Sequence, residues 1–177
     1  MLKLHRARLR SVTRAQPTEW AIWPIVIHSL RTAIVAIASL LVARLCRLPQ
    51  AYWAAITTVV IAQSSLGAAE SVSWQRFIGT FLGAVVGGIG ATYYGPHWVT
   101  FGASVFLLGL VCAAVRCDFS AFRFGAMTVA IVVLIPGTAP AWRIAFNRFA
   151  EVSIGIVVAL LFTWLWAEIE IKPPSTS

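Results

Sequence analysis

Charged residues are scarce in this sequence. Only 11% of its 177 residues are Asp, Glu, Lys or Arg, while 59% are hydrophobic and the mean hydropathy is +0.83. Soluble domains carry about 25% charged residues, so this composition excludes an ordinary soluble protein. Together with several long apolar runs, it predicts an all-α integral membrane protein.

Groups used in catalysis and metal binding are also scarce. The only lysines, Lys3 and Lys172, lie near the chain ends, which excludes the G-x-x-x-x-G-K-[ST] loop of ATP hydrolysis. There is one aspartate, Asp118, and no G-x-S-x-G or H-E-x-x-H pattern. The three cysteines show no C-x-x-C spacing, so neither a zinc site nor a disulfide framework is predicted. We expect no enzymatic activity, no metal and no cofactor.

Positive charge exceeds negative charge, and the formal net charge is +8. Most arginines stand singly between apolar runs, whereas a nucleic-acid-binding surface needs clustered basic residues, so we expect no nucleic-acid partner.

Basic residues cluster only in the N-terminal tail, residues 1–19. The tail is either a short basic helix on anionic membrane lipid or a disordered segment that sets topology. The positive-inside rule places it in the cytoplasm.

Six apolar runs predict six membrane spans within a domain at residues 20–168, followed by a short tail at 169–177. The predicted spans are residues 24–43, 51–66, 77–94, 98–115, 124–138 and 149–166. A crossing needs about 17 to 25 residues, and the second and fifth runs are at or below that range. An even number of spans places both termini in the cytoplasm.

The sequence contains a weak internal repeat. Aligned at an offset of 72 positions are Arg76 with Arg148 and Gly83 with Gly155. Three spans in each half would invert the second half relative to the first, so the predicted fold is six transmembrane helices as two inverted three-helix repeats. The same offset aligns residues 64–66 with 136–138 and predicts interrupted helices at both places. Such interruptions are typical of a transport site.

Glycine spacing predicts where helices pack. Gly79, Gly83 and Gly87 fall four residues apart in the third predicted span, so they share one helix face, and Gly155 opens the sixth span. Another helix can approach such a face closely in a membrane.

His28 and Arg31 lie three residues apart in the first predicted span. A charge at membrane depth costs about 2.5 to 3.5 kcal/mol on insertion scales, so it usually faces a cavity or a partner. Two interpretations are open. Arg31 attracts an anion and His28 carries a proton, or Arg31 extends to the membrane surface and His28 bonds a backbone carbonyl.

Arg76 and Arg148 begin the third and sixth predicted spans, with Gln75 beside the first. They either line an anion path or anchor the helices at the interface. Glu151 follows Arg148 by three residues; it either carries a coupling proton or simply pairs with Arg148.

Tyr52, Trp53, Gln63 and Thr80 are further candidates for substrate binding, the aromatic rings by stacking and the polar groups by hydrogen bonds. For the two aromatic residues, a place in the interfacial aromatic belt is the alternative.

Two long segments together resemble a known signature. YWAAITTVVIAQSSLG at residues 52–67 and QRFIGTFLG at 75–83 are similar to the fusaric acid resistance and aromatic acid exporter family. HSLR at 28–31 and RFAEVSIG at 148–155 are similar to it too. The resemblance implies a six-span domain of the bacterial inner membrane that exports aromatic or related organic acids with the proton gradient.

The resemblance also extends to plant aluminium-activated malate channels, which have six spans, a basic anion path and a dimeric assembly. Larger family exporters carry two such membrane domains, so a single domain is expected to form a homodimer. The leading hypothesis is a proton-driven exporter of organic carboxylates. The alternatives are a passive anion channel and a non-transporting subunit of a larger complex.

Overall fold

A computed structural model describes residues 22–62, 66–135 and 139–170. These residues contain six α-helices and no β-strand, which confirms the predicted all-helical class for this part of the chain. The helices are α1 (Ile22–Leu45), α2 (Tyr52–Ala62), α3 (Leu66–Tyr94), α4 (Trp98–Ala114), α5 (Phe119–Leu134) and α6 (Ala141–Glu170). The basic tail and most of the two predicted helix interruptions, residues 64–65 and 136–138, lie outside the described residues. Leu66, the last residue of the first predicted interruption, is instead the first residue of α3.

The chain divides into two units, residues 1–31 and 32–177. The described part of the first unit is the beginning of α1. The second unit contains the rest of α1 and the five helices that follow, and it holds both arginines of the sequence repeat.

Three of the helices are long and apolar enough to cross a membrane: α1, α3 and α6. The other three are apolar but shorter. At 1.5 Å per residue, the 11 residues of α2 rise only about 16 Å, roughly half of the hydrocarbon thickness. The predicted second span is therefore longer than the helix that forms there.

The predicted start of the third span, at residue 77, is wrong. Residues 67–74 are helical, and α3 begins at Leu66 rather than at residue 77. Ala68, Ala69 and Glu70 favour helix strongly enough to offset Gly67 at the helix start. Arg76 consequently lies well inside a 29-residue helix instead of at its first turn.

The two longest helices each pack against a short helix. α3 packs mainly on α5, and α6 on both α3 and α2. Along the contact between α3 and α5, here called the α3–α5 crossing, a Cβ atom on Gly79 would lie 2.1 Å from the Ala121 carbonyl oxygen. At the contact between α6 and α2, the α6–α2 crossing, a Cβ on Gly155 would lie 2.5 Å from the Ala54 oxygen. Backbone therefore meets backbone at both crossings.

Helices α1 and α4 end with the same hydrogen-bonded cap. The Leu48 amide donates to the Ala43 carbonyl at 3.2 Å, and the Cys117 amide donates to the Cys112 carbonyl at 2.9 Å. In each cap an arginine has positive φ, 55° at Arg47 and 56° at Arg116. This bonding satisfies carbonyl groups that the helix end would otherwise leave unpaired.

Small side chains dominate the interior, and large apolar ones face outward. The largest buried cluster joins α3, α4 and α5 around Leu108, Val129 and Val133. Large residues such as Trp98 and Phe106 are exposed on the outside of the same helices. This arrangement fits a protein surrounded by lipid, where association depends on close packing rather than on hiding apolar surface from water.

The glycine contacts generate a stability prediction. Gly79→Ala should lower the free energy of unfolding by about 1 to 3 kcal/mol, because the added methyl group meets a backbone oxygen that cannot move independently of its helix. Gly102→Ala is the matched control, since nothing lies within 4 Å of a Cβ at that position. SDS-induced unfolding in mixed micelles provides the measurement, and equal stability of the two variants would contradict the packing described.

Candidate functional site

Arg148 and Glu151 form a buried charged pair on α6. They are only 2% and 1% exposed, and Arg148 Nη1 lies 3.4 Å from Glu151 Oε2. The Arg148 Nη2 group donates a hydrogen bond to the side-chain oxygen of Gln50, which precedes α2. The guanidinium carbon lies 4.4 Å from the centre of the Trp53 ring, at cation–π distance.

Glu151 also joins α6 to the segment between α1 and α2. Its Oε1 atom accepts a hydrogen bond of 2.9 Å from the backbone amide of Gln50. The Tyr52 hydroxyl donates to the Gln50 side-chain oxygen at 3.3 Å. Gln50, Tyr52, Trp53, Arg148 and Glu151 therefore form one polar cluster.

The polar cluster leaves hydrogen-bonding capacity unused. Four of its buried atoms have no hydrogen-bond partner within the described part of the chain: Trp53 Nε1, Arg148 Nε, Arg148 Nη1 and Glu151 Oε2. The contact between the guanidinium and the carboxylate is thus an ion pair without a well-aligned hydrogen bond. Buried polar groups are normally paired, and unpaired ones call for an explanation.

Arg76 occupies the α3–α5 crossing and is 7% exposed. Its guanidinium carbon lies 4.8 Å from the centre of the Phe124 ring, and its Nε atom has no hydrogen-bond partner. Within the described residues Arg76 makes no ion pair. The neighbouring Gln75 amide donates instead to Ser71 at 3.2 Å and to the Asp118 carboxylate at 2.9 Å.

The two arginines have closely matching surroundings. Each lies over an aromatic ring of a short helix, and a threonine four residues beyond that ring donates its hydroxyl to the carbonyl of the aromatic residue. The Thr57 bond to Trp53 measures 2.9 Å and the Thr128 bond to Phe124 measures 3.0 Å. The arginines are related by 72 positions, and the short-helix residues by 71.

The remaining predicted site residues are spread over two helices and a segment outside the described residues. His28 is exposed and Arg31 partly buried on α1, in the first unit; Thr80 is buried and Gln75 partly exposed on α3; Gln63 lies outside the described residues. The structure thus brings Arg148, Glu151 and Tyr52 together and places Arg76 at a separate crossing. Within the described residues, no group of three or more His, Cys, Asp or Glu could hold a metal ion.

Four residues near the arginines were missed or undervalued in the sequence: Gln50, Trp53, Asp118 and Phe124. The offset of 71 positions pairs Trp53 with Phe124 and Thr57 with Thr128, and this pairing was visible in the sequence. It was overlooked because the arginines align at an offset of 72 positions, one residue more. Gln50 and Asp118 gave no signal, because their roles depend on contacts with distant helices.

The buried pair generates a second prediction. Arg148→Met should lower the free energy of unfolding by about 3 to 5 kcal/mol, because it leaves the Glu151 charge buried without compensation. The double variant Arg148→Met, Glu151→Gln should be more stable than Arg148→Met alone, because the uncompensated charge is gone. Chemical unfolding of the four members of this double-mutant cycle measures the coupling. Additive effects would show that the pair makes no net interaction.

Comparisons with known proteins identify the family of this chain. The profile of the family described as "Fusaric acid resistance protein-like" matches residues 19–162. "Inner membrane protein YeeA" of Escherichia coli (strain K12) is 28% identical over 151 residues, which cover 81% of this chain and 41% of the relative. The chain therefore spans about two fifths of the length of that relative. No solved structure matches the chain. With most of its length covered by the profile, this chain belongs to the fusaric acid resistance protein-like family of membrane proteins.

Proposed function

We propose that this protein exports organic anions, specifically aromatic or related carboxylates, across the bacterial inner membrane, and that the proton gradient drives the export. Membership of the family supports membrane transport or efflux. Similarity to an inner membrane protein of E. coli, together with the apolar helices, supports an inner-membrane location.

One observation carries the proposal: two guanidinium groups are buried among apolar helices. Arg76 and Arg148 are 7% and 2% exposed, and each is held over an aromatic ring at a helix crossing. A charge inside a membrane protein is costly and usually serves a substrate or ion pathway. Two such cations at matching positions favour a negatively charged substrate.

The proposed architecture is six spans in two inverted three-helix repeats, with both termini in the cytoplasm. The matching surroundings of the two arginines support a repeat, because α3 contacts α5 in the way that α6 contacts α2. In transporters with inverted repeats, the substrate site lies between the two halves. The proposed assembly is a homodimer.

Each candidate residue has a proposed role. Arg31, Arg76 and Arg148 attract the anion; Tyr52, Gln63, Gln75 and Thr80 contribute hydrogen bonds; Glu151 or His28 carries the coupling proton. Glu151 is favoured for the proton because it is buried and contacts Arg148, so that uptake of a proton would change the charge beside one of the arginines that attract the anion.

Flux in liposomes containing only this protein tests the proposal. We expect benzoate to accumulate against its own gradient when a pH gradient is imposed, as measured with radiolabelled benzoate. Flux that only dissipates the benzoate gradient and follows voltage would contradict proton coupling and indicate a passive channel. Absence of any flux would contradict transport by this chain alone.

Glu151→Gln tests the proposed proton carrier. This variant should lose the accumulation driven by the pH gradient, since an amide cannot take up the proton. Accumulation is normalised to the downhill flux of the same variant. Glu70→Gln is the matched control, because Glu70 is exposed on α3 and outside the polar cluster. Unchanged accumulation in Glu151→Gln would remove Glu151 from the coupling mechanism.

A further inference from the structure

The two helix crossings share their architecture but differ in charge. Three residues after Arg148 the chain has Glu151, whereas three residues after Arg76 it has Gly79. Glu151 fills the space between α6 and the Gln50 amide. Gly79 instead brings α3 against the backbone of Ala121, with no space for a side chain. One crossing therefore contains a built-in carboxylate and the other cannot.

Among the residues that the structure describes, Arg76 has no negative partner for this reason. A Cβ at position 79 would lie 2.1 Å from the Ala121 oxygen, so a carboxylate one turn along α3 is sterically excluded. The nearby carboxylate of Asp118 accepts the Gln75 amide, and it is not within ion-pair distance of Arg76. The Phe124 ring lies beneath the guanidinium, and a ring face supplies far less compensation than a charge.

Arg148, in contrast, has a negative partner within the protein. Glu151 supplies one negative charge at 3.4 Å, and the Gln50 oxygen accepts from Nη2. An external carboxylate would have to displace Glu151 from this position. Removing the charge of a buried guanidinium's partner is costly, so an occupied arginine is a poor binding site for a second anion.

We propose that the two arginines have different roles: Arg76 binds the carboxylate of the external ligand, whereas the carboxylate that compensates Arg148 is supplied by Glu151 of the protein itself. The ligand class is a monocarboxylate, since one negative charge balances one guanidinium. This inference rests on the proposed anion transport and assigns the ligand to one of its two arginines.

Titration calorimetry of the full chain in detergent, with benzoate as the probe at fixed pH, tests the assignment. The wild-type protein should bind one benzoate per chain. Arg76→Gln should weaken binding at least tenfold, because the only uncompensated buried cation among the described residues is lost. Arg123→Gln is the matched control: it removes the same charge from an exposed position on α5, next to Phe124, and should bind as the wild type does.

A gain of binding keeps the proposal testable even where Arg76→Gln fails to fold. In Glu151→Gln, Arg148 loses its carboxylate and resembles Arg76, so this variant should bind a second benzoate per chain. A stoichiometry that stays at one would overturn the proposal. So would a wild-type chain that binds no benzoate, or loss of the single wild-type site in Arg148→Gln with retention in Arg76→Gln.

The binding result and the transport result separate the two proposals. Wild-type flux in liposomes with loss of binding only in Arg148→Gln would contradict the assignment to Arg76 and leave anion transport standing. Binding at Arg76 without flux under any gradient would support the assignment and contradict transport by this chain.

Discussion

The close approach of helix backbones at two crossings is the constraint on which the rest of this structure depends. At Gly83 a Cβ atom would lie 2.3 Å from the Gly125 oxygen, and at Gly155 it would lie 2.5 Å from the Ala54 oxygen. Contact this close needs residues without side chains. It fixes the distance and register of α3 on α5 and of α6 on α2, because a shift by one residue would bring a side chain into the gap.

This register determines where the charged groups lie. Arg76 and Arg148 each precede a contact glycine by seven residues, about two helical turns. Each guanidinium is therefore carried onto an aromatic ring of the short helix at one end of the crossing. The helix packing buries both arginines. The local charge then depends on which residue fits one turn after each arginine. Close contact at Gly79 excludes a carboxylate one turn after Arg76, whereas the position one turn after Arg148 holds Glu151.

Local sequence patterns predicted part of this arrangement well. Apolar runs predicted an all-helical membrane protein. The repeat at an offset of 72 positions singled out both arginines. The spacing of Arg148 and Glu151 predicted their pairing as one of two alternatives. The start of α3 was missed, because a short stretch with good helix formers extends a helix when tertiary contacts hold it. The end of α2 was missed too, since this helix ends at Ala62 rather than at residue 66. The contacts of Gln50 and Asp118 could not be predicted from the sequence. Each joins residues far apart in sequence, and no local pattern reports which distant helix a loop will meet.

Helix α2 packs mainly on α6, which is far from it along the chain, and this separation affects how the chain assembles. The Thr58 hydroxyl on α2 bonds the Gly155 carbonyl on α6, and 97 residues separate the two. At synthesis rates of 5 to 20 residues per second, α2 emerges from the ribosome roughly 5 to 20 s before the helix it packs on. It has few contacts with α3, its immediate successor. Helix α2 therefore reaches the membrane without the helix it packs on, and its native packing is completed only when α6 has been made.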